Sequence, residues 1–276
     1  MTENTPEMTP PAGGAGAAGG LDSSTPEQPV AVALIGASNL SRGYWALSRC
    51  IRKNLQPRPV RVLTALGPGR GYVAPGGLWR LQYPPIKNSP VVSALGKYNR
   101  QGEKTVAFLT DLGNDFLYNV TGDELIGALE RMVERLRDYN TEILVTPIHP
   151  VLTRILTPEL YAFLRTTLYP NSKVPYEQVI EGIESVNRYL LETEQSGSIR
   201  RVEGLDAFLG WDYVHYGWMR ATGAWSRAAQ SIVSHIRGDA EHSIPLNQML
   251  ASYLENSFRL VGIDMLRWAP RRQGFF

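Results

Sequence analysis

A serine stands directly behind a short apolar run in Pro29-Val-Ala-Val-Ala-Leu-Ile-Gly-Ala-Ser38. A strand that ends in a tight turn projects such a hydroxyl into a cleft, but the alcohol is a weak nucleophile until a base takes its proton. The chain has four histidines to weigh for that work: His149, His215, His235 and His242. His235 falls in a helical stretch and His242 in a charged loop, where a surface histidine is the ordinary explanation. His149, between Ile148 and Pro150 after an apolar run, stays in reserve. His215 has a partner within reach, because Asp212 precedes it in Gly210-Trp211-Asp212-Tyr213-Val214-His215. A carboxylate at that spacing can accept the imidazole Nδ1 proton, fix the tautomer and stabilise the imidazolium that forms during attack.

Attack on an acyl carbon produces an oxyanion, which needs donors. The backbone N–H groups of Gly67-Pro68-Gly69-Arg70-Gly71 and the side-chain amide of Asn114 can supply them. The same glycine stretch lacks both the Gly-Lys-Ser/Thr of a phosphate loop and the G-x-G-x-x-G spacing of a dinucleotide site, which argues against nucleotide binding. Each residue alone has a plainer reading: Ser38 as a helix N-cap, Asn114-Asp115 as turn residues. Their joint appearance with an Asp-His pair favours catalysis.

The elements that must position these groups follow from periodicity. Pro29 to Ile35 suits a strand buried on both faces of a parallel sheet. Residues 41–55 place Tyr44, Leu47, Cys50 or Ile51 and Leu55 on one helical face. Further strands are expected at Val60–Leu66, Thr105–Leu112, Glu142–Pro147 and Val202–Phe208, with helices at about 123–139, 158–168, 176–192 and 219–236. Strands alternating with helices predict an α/β three-layer sandwich around a mostly parallel five-stranded sheet. In such sheets ligands bind at the carboxyl ends of the strands. Ser38, the 67–71 loop and Asn114 each fall just after an expected strand, so they converge on one rim. The helical stretch 152–195 can cover that rim as a lid.

With these residues in place, the chain resembles the SGNH hydrolases, the superfamily of GDSL-type lipases and esterases. Gly36-Ala37-Ser38 stands where that family has Gly-Asp-Ser, and Leu112-Gly113-Asn114-Asp115 where it has Gly-x-Asn-Asp. Leu66 to Gly71 covers the glycine motif, and Asp212-Tyr213-Val214-His215 the terminal Asp-x-x-His. The resemblance spans residues 30–237. It implies a flavodoxin-like sandwich with Ser38 as nucleophile, His215 as base and Asp212 as its orienting partner. The Ser38 N–H, a glycine N–H and the Asn114 amide would form the oxyanion hole. Gly69, followed by Arg70, best matches the family's spacing, with Gly67 second and Gly71 third. Ala37 departs from the family's Asp, which organises the nucleophile turn, and Leu112 from the first Gly of the asparagine motif. The expected reaction is acyl transfer to water from a small-molecule ester or acylated sugar, with no metal or organic cofactor. An acyltransferase using the same acyl-enzyme and a silent binding module are the competing readings.

Composition agrees with a small ligand. Among 276 residues, 28 Lys and Arg against 26 Asp and Glu leave a net charge of +2, too weak a field to suggest nucleic acid. Cys50 is the only cysteine, which excludes an intrachain disulfide or a cysteine-based zinc site. No apolar run approaches the length of a membrane span, and the first residues carry no signal-peptide pattern, so a cytoplasmic location is expected. Residues 1–29, rich in Pro, Gly, Ala and Thr, are expected to be a disordered tail. Residues 30–240 form the expected catalytic domain. Residues 241–276 read as a helical extension, with Leu246, Met249, Leu250, Tyr253, Leu254 and Phe258 at helical spacing before a basic-aromatic end. That extension offers a homo-oligomer contact. The aromatics Trp79, Tyr83, Tyr161, Tyr169, Trp211, Tyr213, Tyr216 and Trp218 could line an acyl or sugar pocket.

Overall fold

The computed structural model of the chain describes residues 1, 27–78, 81–170, 172–238, 242–268, 270 and 274–276. Most of the expected tail at 1–29, Trp79 and the basic residues Arg271 and Arg272 lie outside them.

Strand β1 (Val30–Ile35) is fully buried and shows why a strand at the centre of a parallel sheet reads as a continuous apolar run. Val30, Val32 and Leu34 enter one core, while Ala31, Ala33 and Ile35 enter the other. The main sheet adds β2 (Val60–Ala65), β5 (Lys104–Leu109), β6 (Glu142–Val145) and the two-residue β7 (Arg200–Arg201). Its order is β2-β1-β5-β6-β7, and every pair is parallel. A separate antiparallel pair, β3 (Gly76–Leu78) with β4 (Leu81–Tyr83), follows the glycine loop.

One face of the sheet carries α1 (Ser38–Asn54), α7 (Ala221–Arg237) and α8 (Leu246–Phe258). The other carries α2 (Val91–Arg100), α3 (Gly122–Asp138) and α6 (Tyr176–Gln195). This is the expected α/β sandwich. The short α4 (Leu152–Ile155) and α5 (Pro158–Leu168) complete the 152–195 insertion at the carboxyl end of the sheet. Asn187 of α6 ties it to the β6 loop by accepting from the Ile148 N–H and donating to the Ile148 carbonyl, at 2.9 and 2.7 Å. Among the described residues no helix is long and apolar enough to cross a membrane.

Three differences from the sequence reading have local causes. Helix α1 starts at Ser38, earlier than its apolar periodicity suggests, because its first turn is capped from elsewhere. Neither α2 nor the β3–β4 pair was expected from periodicity; α2 has only ten residues. The strand expected at 202–208 does not form; the last strand of the sheet is Arg200–Arg201, just before it. The Val202 N–H still bonds the Val145 carbonyl, but Gly204 turns at φ 74° and Asp206–Phe208 coil into a 3-10 turn.

The C-terminal segment packs on the domain. The Ser252 hydroxyl donates to the Arg42 carbonyl and accepts from the Ala46 N–H, and Arg49 holds Glu255 through two bonds of 2.8 Å. Residues 274–276 lie along the outer edge of β2: the Thr64 N–H bonds the Gly274 carbonyl and the Phe276 N–H bonds the Thr64 carbonyl. A covered edge is protected from pairing with another chain.

Candidate active site

The cleft opens between β1 and β5, where the strand order reverses and an open α/β sheet leaves a crevice at its carboxyl edge. Gly36 lets the chain leave β1 there, since a Cβ would stand 2.7 Å from the Thr110 methyl. Ala37 occupies the N-cap position of α1 and has no side chain able to cap. The cap comes from Asp111, just beyond β5. Its Oδ2 accepts from the Ala37 and Leu40 N–H groups at 2.8 and 3.1 Å, and its Oδ1 from the Asn39 amide at 3.0 Å. A carboxylate at a helix N-terminus satisfies orphan donors and meets the positive end of the dipole. Asp111 holds a left-handed backbone (φ 59°, ψ 41°) to do so, a conformation Asp tolerates better than most residues. The Ser38 hydroxyl is left free of capping duty.

It is used otherwise. Ser38 Oγ lies 3.0 Å from His215 Nε2, and His215 Nδ1 lies 2.7 Å from Asp212 Oδ2. A carboxylate can only accept, so Nδ1 carries a proton, and in the neutral imidazole Nε2 is the acceptor turned to the serine. Asp212 Oδ1 also accepts the Val214 and His215 N–H groups, at 3.1 and 2.9 Å. Burial works against the charge on Asp212, but the bonds from His215 outweigh it and hold the carboxyl below its ordinary pKa. The loop closes where the Gly210 N–H bonds the His215 carbonyl at 2.7 Å. Asn39 fixes the register between loop and helix. Its Nδ2 donates to the Val214 carbonyl and its Oδ1 accepts from the Tyr216 N–H, both at 3.0 Å, so it grips the backbone on either side of His215.

Asn114 is buried in a 3-10 stretch, Leu112–Tyr118, across the cleft. Its Nδ2 donates to the Arg70 carbonyl at 3.3 Å, while its Oδ1 accepts from the Tyr169 hydroxyl at 3.0 Å. The two bonds orient the amide and leave its second hydrogen for a ligand. The neighbouring Asp115 accepts the N–H groups of Tyr72, Val73 and Ala74 at 2.6, 2.8 and 2.9 Å, which ties down the chain after the glycines. Gly69 sits at φ 69°, and its carbonyl accepts from the Tyr118 hydroxyl at 2.7 Å. Gly67 packs under the Tyr83 ring and Gly71 against the Asp115 carboxylate. The structure thus brings the glycine loop behind Asn114. Among the described residues, none of Gly67, Gly69 and Gly71 lines the cavity that holds Ser38 and Asn114.

That cavity, about 120 Å³, runs from Ser38 beneath the insertion. His149 is on its wall, packed edge-on against Tyr216 with ring centroids 5.7 Å apart. Burial holds the pKa of His149 below its usual value. His235, by contrast, pairs with Glu142 at 3.1 Å, away from the cleft. Of the aromatics, Tyr161 and Tyr169 line the cavity; Trp211 and Trp218 flank the His215 loop and are exposed. Among the described residues no cluster of three or more His, Cys, Asp or Glu side chains could hold a metal ion.

Asp111 and Asn39 escaped the sequence reading as site residues. Asp111 had a signal: an alanine in place of the nucleophile-motif Asp leaves the turn in need of another carboxylate. Tyr169 was expected only as a pocket-lining aromatic; its bond to Asn114 had no signal, because nothing local ties the two.

No family model matches the chain, and no curated protein matches it. Solved structures similar to it are GDSL-like lipases and esterases. One is TesA, with a TM-score of 0.44 and 16% identity over 74% of this chain and 99% of that one. A GDSL-like lipase from Bacteroides thetaiotaomicron has a TM-score of 0.43 and 12% identity over 75% of this chain and 88% of its own. A family 3 carbohydrate esterase from Clostridium thermocellum has a TM-score of 0.40 and 11% identity, covering 76% of this chain and all 100% of that one. The functional reading therefore rests on the geometry of the cleft.

Proposed function

We propose that the protein is a serine hydrolase of carboxylic esters, with residues 30–240 as its catalytic unit. Ser38 is the nucleophile, His215 the general base and Asp212 the group that orients it. The observation that carries this reading is the unbroken chain from Asp212 Oδ2 through His215 to Ser38 Oγ, at 2.7 and 3.0 Å, beside an oriented Asn114 amide.

His215 Nε2 takes the Ser38 proton as Oγ bonds to the acyl carbon. The oxyanion is held by the Ser38 N–H and the Asn114 amide, with the Gly69 N–H proposed as the third donor. As the carbon–oxygen bond to the alcohol breaks, the imidazolium returns its proton to that oxygen. His215 then deprotonates a water as its oxygen bonds to the acyl carbon; the bond to Ser38 Oγ breaks, the imidazolium returns the proton to Oγ, and the acid leaves.

The test is covalent capture by a fluorophosphonate probe. Labelling of the wild type and of Ser41→Ala, with none of Ser38→Ala, supports the assignment. A folded wild type that takes no label sinks it and favours a silent binding module. Ester turnover that appears only on adding an acceptor alcohol would make the protein a transferase instead.

A further inference from the structure

We infer that the acyl group accepted here is an uncharged hydrocarbon chain of about five carbons beyond the carbonyl, seated under the 152–195 insertion. This rests on Ser38 being the nucleophile. The cavity begins at Ser38 and Asn114, and its far walls are Phe116, Leu152, Leu156, Leu164, Val179 and Ile183. All of these but the half-buried Leu152 are buried members of the core on that face of the sheet. The cavity therefore leads from its mouth at Ser38 into the hydrophobic core.

Several of the polar groups along it are engaged with one another. The Tyr161 hydroxyl and the Arg165 guanidinium both donate to the Val174 carbonyl, at 2.7 and 3.2 Å, and the guanidinium lies over the Tyr161 ring. The Thr146 hydroxyl donates to that of Thr110, and the Tyr169 hydroxyl to Asn114. A sugar entering this space would have to give up water against far walls that are hydrocarbon, which is costly. A hydrocarbon loses nothing on entry. A sugar can be part of the substrate only as the alcohol, outside the cavity.

Size sets the chain length. An aliphatic cavity of roughly 150 Å³ admits benzene, six carbons. By that scale the 120 Å³ here takes about five. An acetyl methyl would leave most of the space empty, and a long fatty chain would overrun it. Each buried methylene raises kcat/KM by about fourfold, so hexanoyl should exceed acetyl by roughly two orders of magnitude.

The experiment is a series of para-nitrophenyl esters from acetyl to hexadecanoyl, with acetylated sugars alongside. The expected kcat/KM climbs to about hexanoyl and falls beyond it. Val179→Phe, which fills the cavity, should lower the hexanoyl-to-acetyl ratio at least tenfold; Leu164→Ala, which enlarges it, should move the optimum to longer chains. A flat profile, a preference for acetyl or acetylated sugars, or a preference for an acyl chain ending in a carboxylate overturns the inference. If either variant does not fold, the wild-type profile and the other variant decide. Fluorophosphonate labelling separates the two failures: label at Ser38 with an acetyl preference sinks only the acyl assignment, whereas no label and no turnover of any ester sinks the nucleophile.

Discussion

The two walls of the cleft are held by different parts of the chain. On one, Asp111 and Asn39 bind the start of α1 and the backbone flanking His215, so Ser38 and His215 are aligned from the central strands of the sheet. On the other, the Asn114 amide is oriented by Tyr169, which follows α5 of the insertion. Tyr169 also packs edge-on against Tyr118, which holds the Gly69 carbonyl. The Ser38–His215 pair is thus held from the sheet core, while the Asn114 amide depends on the insertion that walls the cavity. Movement of the insertion would disturb the second wall and spare the first.

The largest expected effects lie on the first wall. Ser38→Ala and His215→Ala should each lower kcat by about four to six orders of magnitude, and the double variant should be little worse than either, because the pair acts as a unit. Steady-state kinetics on a hexanoyl ester measures this; a double variant that multiplies the two losses would contradict it. Asn114→Ala, on the second wall, should cost about 100- to 1,000-fold in kcat. Asp111→Ala should cost about 100-fold in kcat with little change in KM, together with about 1–2 kcal/mol of stability from the lost cap. Adding Ala37→Asp should recover activity, since a carboxylate on the neighbouring residue can cap the same turn. A rescue of stability without activity would reduce Asp111 to a merely structural role.

Tyr169→Phe sharpens the comparison. It removes one oxygen, leaves Asn114 in place and lets the amide rotate. The expected loss is about fivefold in kcat, the scale of one hydrogen bond of about 1 kcal/mol. It should vanish in the Asn114→Ala background, because Tyr169 acts through that amide. An undiminished loss there would mean that the hydroxyl works by another route.

How much of this was legible follows the same division. The first wall is largely local: Asp212 and His215 share one loop, Ser38 follows a strand that any apolar run would announce, and both can be read from types and spacing. The sandwich itself was equally plain, because β1 buries both faces and must be apolar throughout. The second wall is a tertiary product, with Tyr169 lying 55 positions from Asn114. So is the cap on the first wall, where Asp111 is 74 positions from Ala37, and no spacing rule links either pair. The glycine stretch carried too many glycines for position to decide among them. Each has its own reason to lack a side chain: the Tyr83 ring at Gly67, the Gly77 carbonyl at Gly69 and the Asp115 carboxylate at Gly71. The strand expected at 202–208 failed because its apolar pattern says nothing about the positive φ of Gly204.

His149 touches both walls, lining the cavity on one side and packing on Tyr216 on the other. Its effect should be the smallest and should appear as a slope. Burial lowers its pKa from the usual 6.5, and Asp111 and Asp206 oppose that shift without cancelling it. As pH falls through 6.5, the unfolded chain therefore takes up a proton at this residue that the folded chain still refuses. The stability contributed by a neutral His149 is complete above that pH and is lost progressively as pH falls toward the lower folded pKa. The carboxyl of Asp212, held below its ordinary value of 3.8, acts only at more acid pH and leaves this window clear. Urea unfolding at pH 7.5, 6.5 and 5.5 should give a declining stability for the wild type and a shallower decline for His149→Phe. Equal slopes in the two proteins would mean that the folded His149 accepts a proton as readily as a free imidazole, and that water reaches the junction between the walls.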